Sequence, residues 1–486
     1  MKYLIIFLWF LLFFKKLFFW VWLWQLKEYH VGRFKAHFQT TKGKNIINKY
    51  LLIAEAVLIL GLFFYDFFVY VLVLVFLAEI LKSFYSRDLR IPVITKKTSL
   101  ILGAGFILEI LIIIYFSILP DRIFYIALLT LSILSPLFFS GLIFSFEPFA
   151  IFWRNKTIKK ATQKIKEFKN LKVIGITGSY GKTSTKEFLA QILSEKFKVV
   201  KTKEHQNSEV GVSRCVLNDI KAEHQIFICE MGAYQKGGIK LLCDIVSPKI
   251  GIVTGVNEQH LATFGNMENL LSAEGGKELI DSLPKEGVAF FNEKNEYCRD
   301  LYEKSTIRKI LYGREAAFSG GENILGAMAV AKEIGMKDEE IFSVVKKIKN
   351  KFPGIEIKKI SNLNIIDATY SANPNGVLAH LEYLKSFKGK RVIIMPCLIE
   401  LGEKAKEIHF KIGEKIGEVC DLTIITTEDF FEEIKEGAMK KEMKEENILF
   451  MESPKEIFER IKNFSNKEDV ILLESRIPKK LFNFFK

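Results

Sequence analysis

Cysteine is scarce in this chain and never paired in sequence. Six occur in 486 residues, all beyond residue 214, and no two form a C-x-x-C unit. That spacing argues against a disulfide framework and against the usual zinc sites, and scattered thiols fit a reducing compartment. Acidic residues are sparse before residue 155, where most of the 43 phenylalanines lie. The formal net charge is +14, yet no RNA-binding signature or zinc-finger spacing accompanies it. Much of the excess lysine and arginine flanks apolar runs instead, so the basic balance points to an anionic membrane surface and excludes nucleic acid as the expected partner. No small-residue cleavage site follows the first apolar run, which argues against a cleavable leader.

Four apolar regions dominate the first third: 3–26 (interrupted by Lys15 and Lys16), 51–81, 99–119 and 123–146. A crossing needs roughly 20 apolar residues. The region 51–81 is long for one helix and short for two, with Asp66 near its middle in "FFYDFFVY". Basic residues crowd three segments: 27–50, 82–98 and the stretch after Phe146. If positive loops face the cytoplasm, region 51–81 crosses twice and turns near Asp66. The "PDR" at 120–122 is then the other outside turn. Five spans are expected, at 3–26, 50–65, 67–84, 99–119 and 123–146, with the N-terminus outside. The first region could alternatively lie in the interface, and "WQLKEYHVGRFKAHF" at 24–38 mixes aromatic and basic residues as an interfacial helix does. The expected organisation is a membrane domain over 1–150, a basic amphipathic connector over 151–170, and an α/β part over 171–352 and 353–486. The acids within the spans, Glu55, Asp66, Glu79 and Glu109, read as interface or helix–helix positions and not as a transport array.

From Leu171 the pattern changes to short β-rich runs alternating with helical stretches: 172–178, 225–232, 249–256 and 287–292, then a second series at 364–370, 391–396, 421–426, 447–452 and 469–474. This predicts two mostly parallel sheets with crossover helices, the second a smaller Rossmann-like domain. Ligands bind such sheets at the carboxyl ends of strands.

At the end of the first run stands "IGITGSYGKTST" (174–185). A strand, a glycine-rich turn, Gly-Lys-Thr and a helical run follow in the order a phosphate loop requires. The candidate nucleotide contacts are Gly178, Ser179, Gly181, Lys182, Thr183 and Ser184. Backbone N–H groups and the helix N-terminus would face the phosphates, Lys182 would reach the β- and γ-phosphates, and the Thr183 hydroxyl would reach Mg²⁺. Gly175 stands one residue too far from Gly181 for the common G-x-x-x-x-G-K spacing.

The stretch "GITGSYGKTSTKE" resembles the ATP loop of the Mur ligases, the cell-wall peptide ligases. Further stretches match that family in order: "TKEHQNSEVGV" (202–212), "CEMGAYQKGGI" (229–239), "VNEQHLATFGNMENL" (256–270), "GGENILGAMAVA" (320–331), "IIDATYSANPNG" (365–376) and "LIELGEKAKEIH" (398–409). The stretch "TKEHQNSEVGV" best matches the branch that adds D-alanyl-D-alanine. The resemblance implies ATP and Mg²⁺ as cofactors and amide formation through an acyl phosphate. It implies that Lys182, Glu230 and His260 are catalytic, and that Thr183, Glu230 and His260 hold metal. Asn323 would lie near the adenine, and Asp367 and Tyr370 would face the nucleotide from the C-terminal domain.

The chain also departs from the resembled pattern. Many family members carry a carbamylated lysine that helps hold a second Mg²⁺; counting from His260 without gaps, Glu274 takes that place, or Lys277 if a gap is allowed. Ala368 and Ser371 replace an Asp and an Asn, and "LLESR" (472–476) replaces a Lys-Gly-Ser-Arg-like segment, keeping Arg476. No soluble UDP-binding domain appears in front; apolar spans stand there. The expectation is a membrane-tethered ligase with its catalytic part in the cytoplasm. It would join an amino acid or short peptide to a cell-wall precursor, lipid-linked or UDP-linked. The alternatives are another amide ligase of the folylpolyglutamate superfamily and a non-catalytic ATP-binding membrane scaffold for cell-wall enzymes.

Overall fold

The computed structural model describes the chain apart from residues 48, 87–88, 205, 316–320, 349–355, 361–362, 370–372, 467, 479, 482–483 and 485–486. It divides into two compact units, Met1–Asn155 and Lys156–Lys486.

The regular structure among the described residues of the first unit is helical. Among the described residues five helices are long and apolar enough to cross a membrane: Lys2–Leu26, Thr41–Phe64, Phe68–Tyr85, Lys96–Ser117 and Ser135–Ile165. The helical run is interrupted at 65–67, around Asp66. Helix Lys2–Leu26 is 44% buried and the other four only 17–18%, so the first helix is the core around which the rest are arranged. Its Trp9, Phe13, Leu17, Trp20, Val21 and Trp24 are buried. The outer helices expose Ile53, Leu60, Phe63, Leu74, Leu81, Ile107 and Leu111.

The run expected as one span over 123–146 is divided into Asp121–Ile133 and Ser135–Ser145. Pro136 is the reason: it has no N–H to donate to the Ser132 carbonyl four residues back. That carbonyl instead accepts from Lys16 Nζ at 3.2 Å, and the same ammonium lies 2.6 Å from Ser132 Oγ and 3.9 Å from Glu55 Oε1. Lys15 donates to Ser83 Oγ. The two lysines that interrupt the first apolar run therefore find partners on neighbouring helices. Glu55 and Glu109 are both buried, and neither Glu109 oxygen has a hydrogen-bond partner among the described residues.

Besides these contacts of Lys15 and Lys16, further polar contacts of this unit lie at two ends. At one, Lys2 pairs with Asp121 at 2.8 Å and Arg122 with Asp66 at 2.7 Å. At the other, Gln25 bonds both backbone groups of Val93, Lys97 pairs with Glu147 at 2.7 Å, and Arg33 pairs with Glu28 at 2.8 Å. Helix Glu147–Ile165 carries the chain across residue 155, and its Ala161 and Ile165 join the core of the second unit.

Among its described residues the second unit holds two six-stranded sheets. The first comprises β1 (Lys172–Thr177), β2 (Val199–Lys201), β3 (Ile226–Glu230), β4 (Ile250–Val253), β5 (Val288–Asn292) and β6 (Arg308–Tyr312). They are all parallel, in the order β2-β3-β1-β4-β5-β6. Strands β3, β4 and β5 are buried along their whole length, as a sheet covered by helices on both faces requires. The second comprises β7 (Glu356–Ile360), β8 (Leu363–Ala368), β9 (Arg391–Met395), β10 (Leu422–Ile425), β11 (Ile448–Phe450) and β12 (Val470–Glu474). Its order is β11-β10-β9-β12-β8-β7, parallel except for β7, which runs antiparallel to β8.

Two ties set the second sheet's carboxyl end against that of the first. Asn257 Nδ2 donates to Asn375 Oδ1 at 2.7 Å, and the Ala262 N–H donates to the Glu400 carbonyl at 3.1 Å.

Candidate active site

The phosphate loop leaves β1 and enters helix Lys182–Leu193. Two of its glycines are required by geometry. Gly178 has φ +142°, and a Cβ there would sit 2.3 Å from Thr254 Oγ1. Gly181 caps the helix at φ +82°, and a Cβ there would sit 2.4 Å from Asn323 Oδ1. Only glycine combines these dihedrals with such close approach. The Ser179 N–H donates to the Gly255 carbonyl at 2.7 Å, and its hydroxyl lies 3.3 Å from the Asn257 carbonyl, so the strand end after β4 pins the loop. Lys182 folds its Nζ back onto the carbonyls of Gly178 and, at 3.2 Å, Ser179. Ser184 lies in the first turn of the helix and is half-buried.

The four metal-ligand candidates fall into two pairs. In the first, Thr183 Oγ1 donates to Glu230 Oε1 at 3.1 Å, and Asn207 Nδ2 donates to the same oxygen at 3.2 Å. The other Glu230 oxygen lies 3.0 Å from Lys186 Nζ. Lys186 is fully buried and also lies 3.5 Å from Glu187; both contacts are ion pairs, neither aligned as a hydrogen bond. In the second pair, His260 Nδ1 lies 3.1 and 3.0 Å from the two Glu274 oxygens. Glu274 is 2% exposed and lies 4.0 Å from Lys182 Nζ. Burial alone would raise its carboxyl, but the charges of His260 and Lys182, with hydrogen bonds from His260 and Ser179, hold it below the ordinary carboxylate range. Lys277, the alternative to Glu274, is exposed and pairs with Asp281. Among the described residues no three His, Cys, Asp or Glu side chains close on one point. The four candidates therefore form two pairs, with Glu230 facing Lys186 and Glu274 facing Lys182.

Asn323 opens helix Gly321–Ile334 and sits on the phosphate loop, accepting from Thr185 Oγ1 at 3.3 Å. Asp367 ends β8 with Lys358 Nζ at 2.9 Å and Thr369 Oγ1 at 2.8 Å. Burial opposes ionisation there, and these hydrogen bonds outweigh it and hold the carboxyl low. Tyr370 and Ser371 lie outside the described residues. Reasoning from the sequence missed Lys186, Asn207 and Asn257 as parts of the site. No local pattern marks Lys186, since a lysine within a helical run reads as solvent-facing.

Two family models match in tandem: the Mur ligase middle domain over 176–370 and the Mur ligase glutamate ligase domain over 355–476. Together they span more than half of the chain. It belongs to the Mur ligase family. Among curated Mur ligases, a UDP-N-acetylmuramoyl-tripeptide–D-alanyl-D-alanine ligase of Synechocystis sp. is 29% identical over 270 residues, 50% of this chain and 59% of that protein. The Bacillus subtilis ligase of the same name is 26% identical over 342 residues, 64% of this chain and 74% of its own. The chain thus spans about six-tenths of the length of the first of these relatives. A solved MurF ligase of Thermotoga maritima in complex with ADP is 25% identical with a TM-score of 0.57, covering 68% of this chain and 83% of that one. A MurF of Acinetobacter baumannii superposes with a TM-score of 0.59 at 22% identity, covering 66% and 78%. As a Mur ligase, the chain has the α/β fold with parallel sheets that its sequence predicts. Strands β2, β6 and β7 went unread.

Proposed function

We propose that this Mur ligase is an ATP-dependent, membrane-tethered enzyme that joins an amine to a carboxylate of a peptidoglycan precursor through an acyl phosphate. The observation that carries the reading is the phosphate loop, held by its two obligatory glycines, with Glu230 on the Thr183 hydroxyl and the His260–Glu274 pair beside Lys182. Backbone N–H groups and a helix N-terminus suit the phosphates of ATP. Oxygen donors from Thr183, Glu230 and Glu274, with one imidazole, suit Mg²⁺. When bound, the metal would supply charge neutralisation at the phosphates.

The chain's own residues would do the rest. Lys182 would swing from the loop carbonyls to the transferring phosphoryl group, where a fixed cation stabilises developing charge. Lys186 and Asn207 would hold Glu230 in place. Asn323 would brace the loop at Gly181, and Asp367 and Tyr370 would approach the nucleotide from the second sheet. Glu274 would provide without modification the carboxylate that resembled ligases make by carbamylating a lysine. Closure of the second sheet's end over the first would keep water from the acyl phosphate.

Five helices of spanning length, with large apolar residues exposed on the outer ones, support insertion in a bilayer. The division of polar contacts between two ends supports an orientation with residues 66 and 120–122 outside and the ligase part in the cytoplasm. The covalent link then holds the ligase at the membrane, where a lipid-linked precursor resides. The test is turnover by the full chain in lipid nanodiscs with the lipid-linked muramoyl-tripeptide and with its soluble UDP form. Preference for the lipid-linked substrate is expected; equal turnover of the UDP form would sink the lipid-linked assignment.

A further inference from the structure

At the carboxyl end of β12, outside the groups assigned above, Glu474 is 1% exposed. Its Oε2 lies 2.6 Å from His380 Nδ1, and its Oε1 accepts from Ser475 Oγ at 3.0 Å. Both carboxylate oxygens are thus engaged. An ionised carboxylate only accepts, so Nδ1 carries the proton and Nε2 is left as a proton acceptor. The His380 side chain keeps 14% of its surface exposed.

The position of the pair links it to the phosphate loop. Strand register sets Glu474 against Ala368, one residue past Asp367. His380 lies in helix Pro374–Leu384, whose first turn holds Asn375 against Asn257, which in turn touches Ser179 of the loop. From Asn375 to His380 the helix advances about 7.5 Å. Arg476, exposed two residues after Glu474, offers a cation to an anionic group at the same strand end.

We propose that His380, oriented by Glu474, accepts the proton that the incoming amine must lose. This rests on the ligase reading above. The amine arrives as an ammonium, which has no lone pair. His380 Nε2 takes one proton, leaving a neutral amine and an imidazolium that Glu474 stabilises. The nitrogen lone pair forms the C–N bond to the acyl carbon. The C–O bond to phosphate breaks with its electron pair, and the second nitrogen proton leaves with the phosphate. The carboxylate–imidazole arrangement follows the logic by which a buried acid fixes the tautomer of a general base.

Hydroxylamine, largely uncharged at neutral pH, captures an acyl phosphate without needing this proton transfer, so it separates the two half-reactions. The full chain in nanodiscs is supplied with ATP, Mg²⁺ and UDP-linked or lipid-linked muramoyl-tripeptide, whichever the wild type uses, and with either D-alanyl-D-alanine or hydroxylamine. His380→Gln and Glu474→Gln are each expected to cut kcat for the dipeptide about 100-fold with little change in its KM. Hydroxamate formation should stay close to wild type, which also shows that the variants are folded. Equal loss of both products, unchanged amide formation, or a rise in KM alone overturns the assignment. A wild type that yields neither product overturns the ligase reading on which it rests.

Discussion

Lys186 Nζ lies 3.0 Å from Glu230 Oε2, and no part of the lysine reaches solvent. A buried ammonium is costly unless paired, and here it faces the carboxylate whose other oxygen meets Thr183. The helix that begins with the phosphate loop therefore carries two lysines in different settings: Lys182 folds onto the loop carbonyls and Lys186 is buried against Glu230 at the end of β3.

Lys186→Met leaves Glu230 buried without its cation. Removing one partner of such a pair should cost about 3 kcal/mol, read as a lower thermal unfolding temperature of the full chain. Lys186→Arg, which keeps the charge, should recover part of it. A Lys186→Met variant as stable as wild type contradicts the pairing.

Glu274→Gln keeps the shape and removes the charge that His260 and Lys182 face. The Mg²⁺ concentration needed for half-maximal ADP release should rise about tenfold or more. Removing dissolved CO₂ should leave the wild type unaffected, since a carboxylate needs no carbamylation. Dependence of the wild type on bicarbonate would point to a lysine in that role.

His409 gives a pH signature to stability. Its Nδ1 lies 2.6 Å from the Ala405 carbonyl, its Nε2 accepts from the Leu398 N–H at 2.9 Å, and it stacks on Phe430. Burial lowers its pKa to about 4. Protonation would set a second N–H against that of Leu398. The unfolded chain therefore binds the proton first, and stability falls as pH drops from the unfolded histidine value toward 4. The loss is about 3 kcal/mol by the time both states are protonated. His409→Gln should flatten this part of the pH–stability curve; an unchanged slope contradicts the account.

Orientation in a bilayer is open to cysteine labelling, because all six native cysteines are buried and none precedes residue 215. Ser117→Cys should react with an impermeant maleimide on intact cells. Lys96→Cys should react only after permeabilisation. The reverse pattern contradicts the orientation.

The candidate site was legible where one local pattern dictates it. The phosphate loop needs its glycines, lysine and threonine in order, and Glu230, His260 and Glu274 follow from matched stretches. Strands β2, β6 and β7 escaped because they are edge strands: "VVK", "RKILY" and "EIKKI" carry charge that a buried strand would not. Lys186 reads as a solvent-facing helix residue until the sheet behind it is known. His380 and Glu474 stand 94 residues apart, and only the pairing of β8 with β12 brings them together. The division of 123–146 turned on Pro136, whose effect on an apolar helix depends on whether a neighbour such as Lys16 satisfies the freed carbonyl.

The most direct test is ADP release by the full chain in nanodiscs, given ATP, Mg²⁺, muramoyl-tripeptide acceptor and D-alanyl-D-alanine, with the amide product followed by mass. The account predicts ADP and amide in equal amounts, dependent on both the acceptor and the amine and abolished by Lys182→Ala. ATP binding without turnover on either form of the acceptor would contradict it.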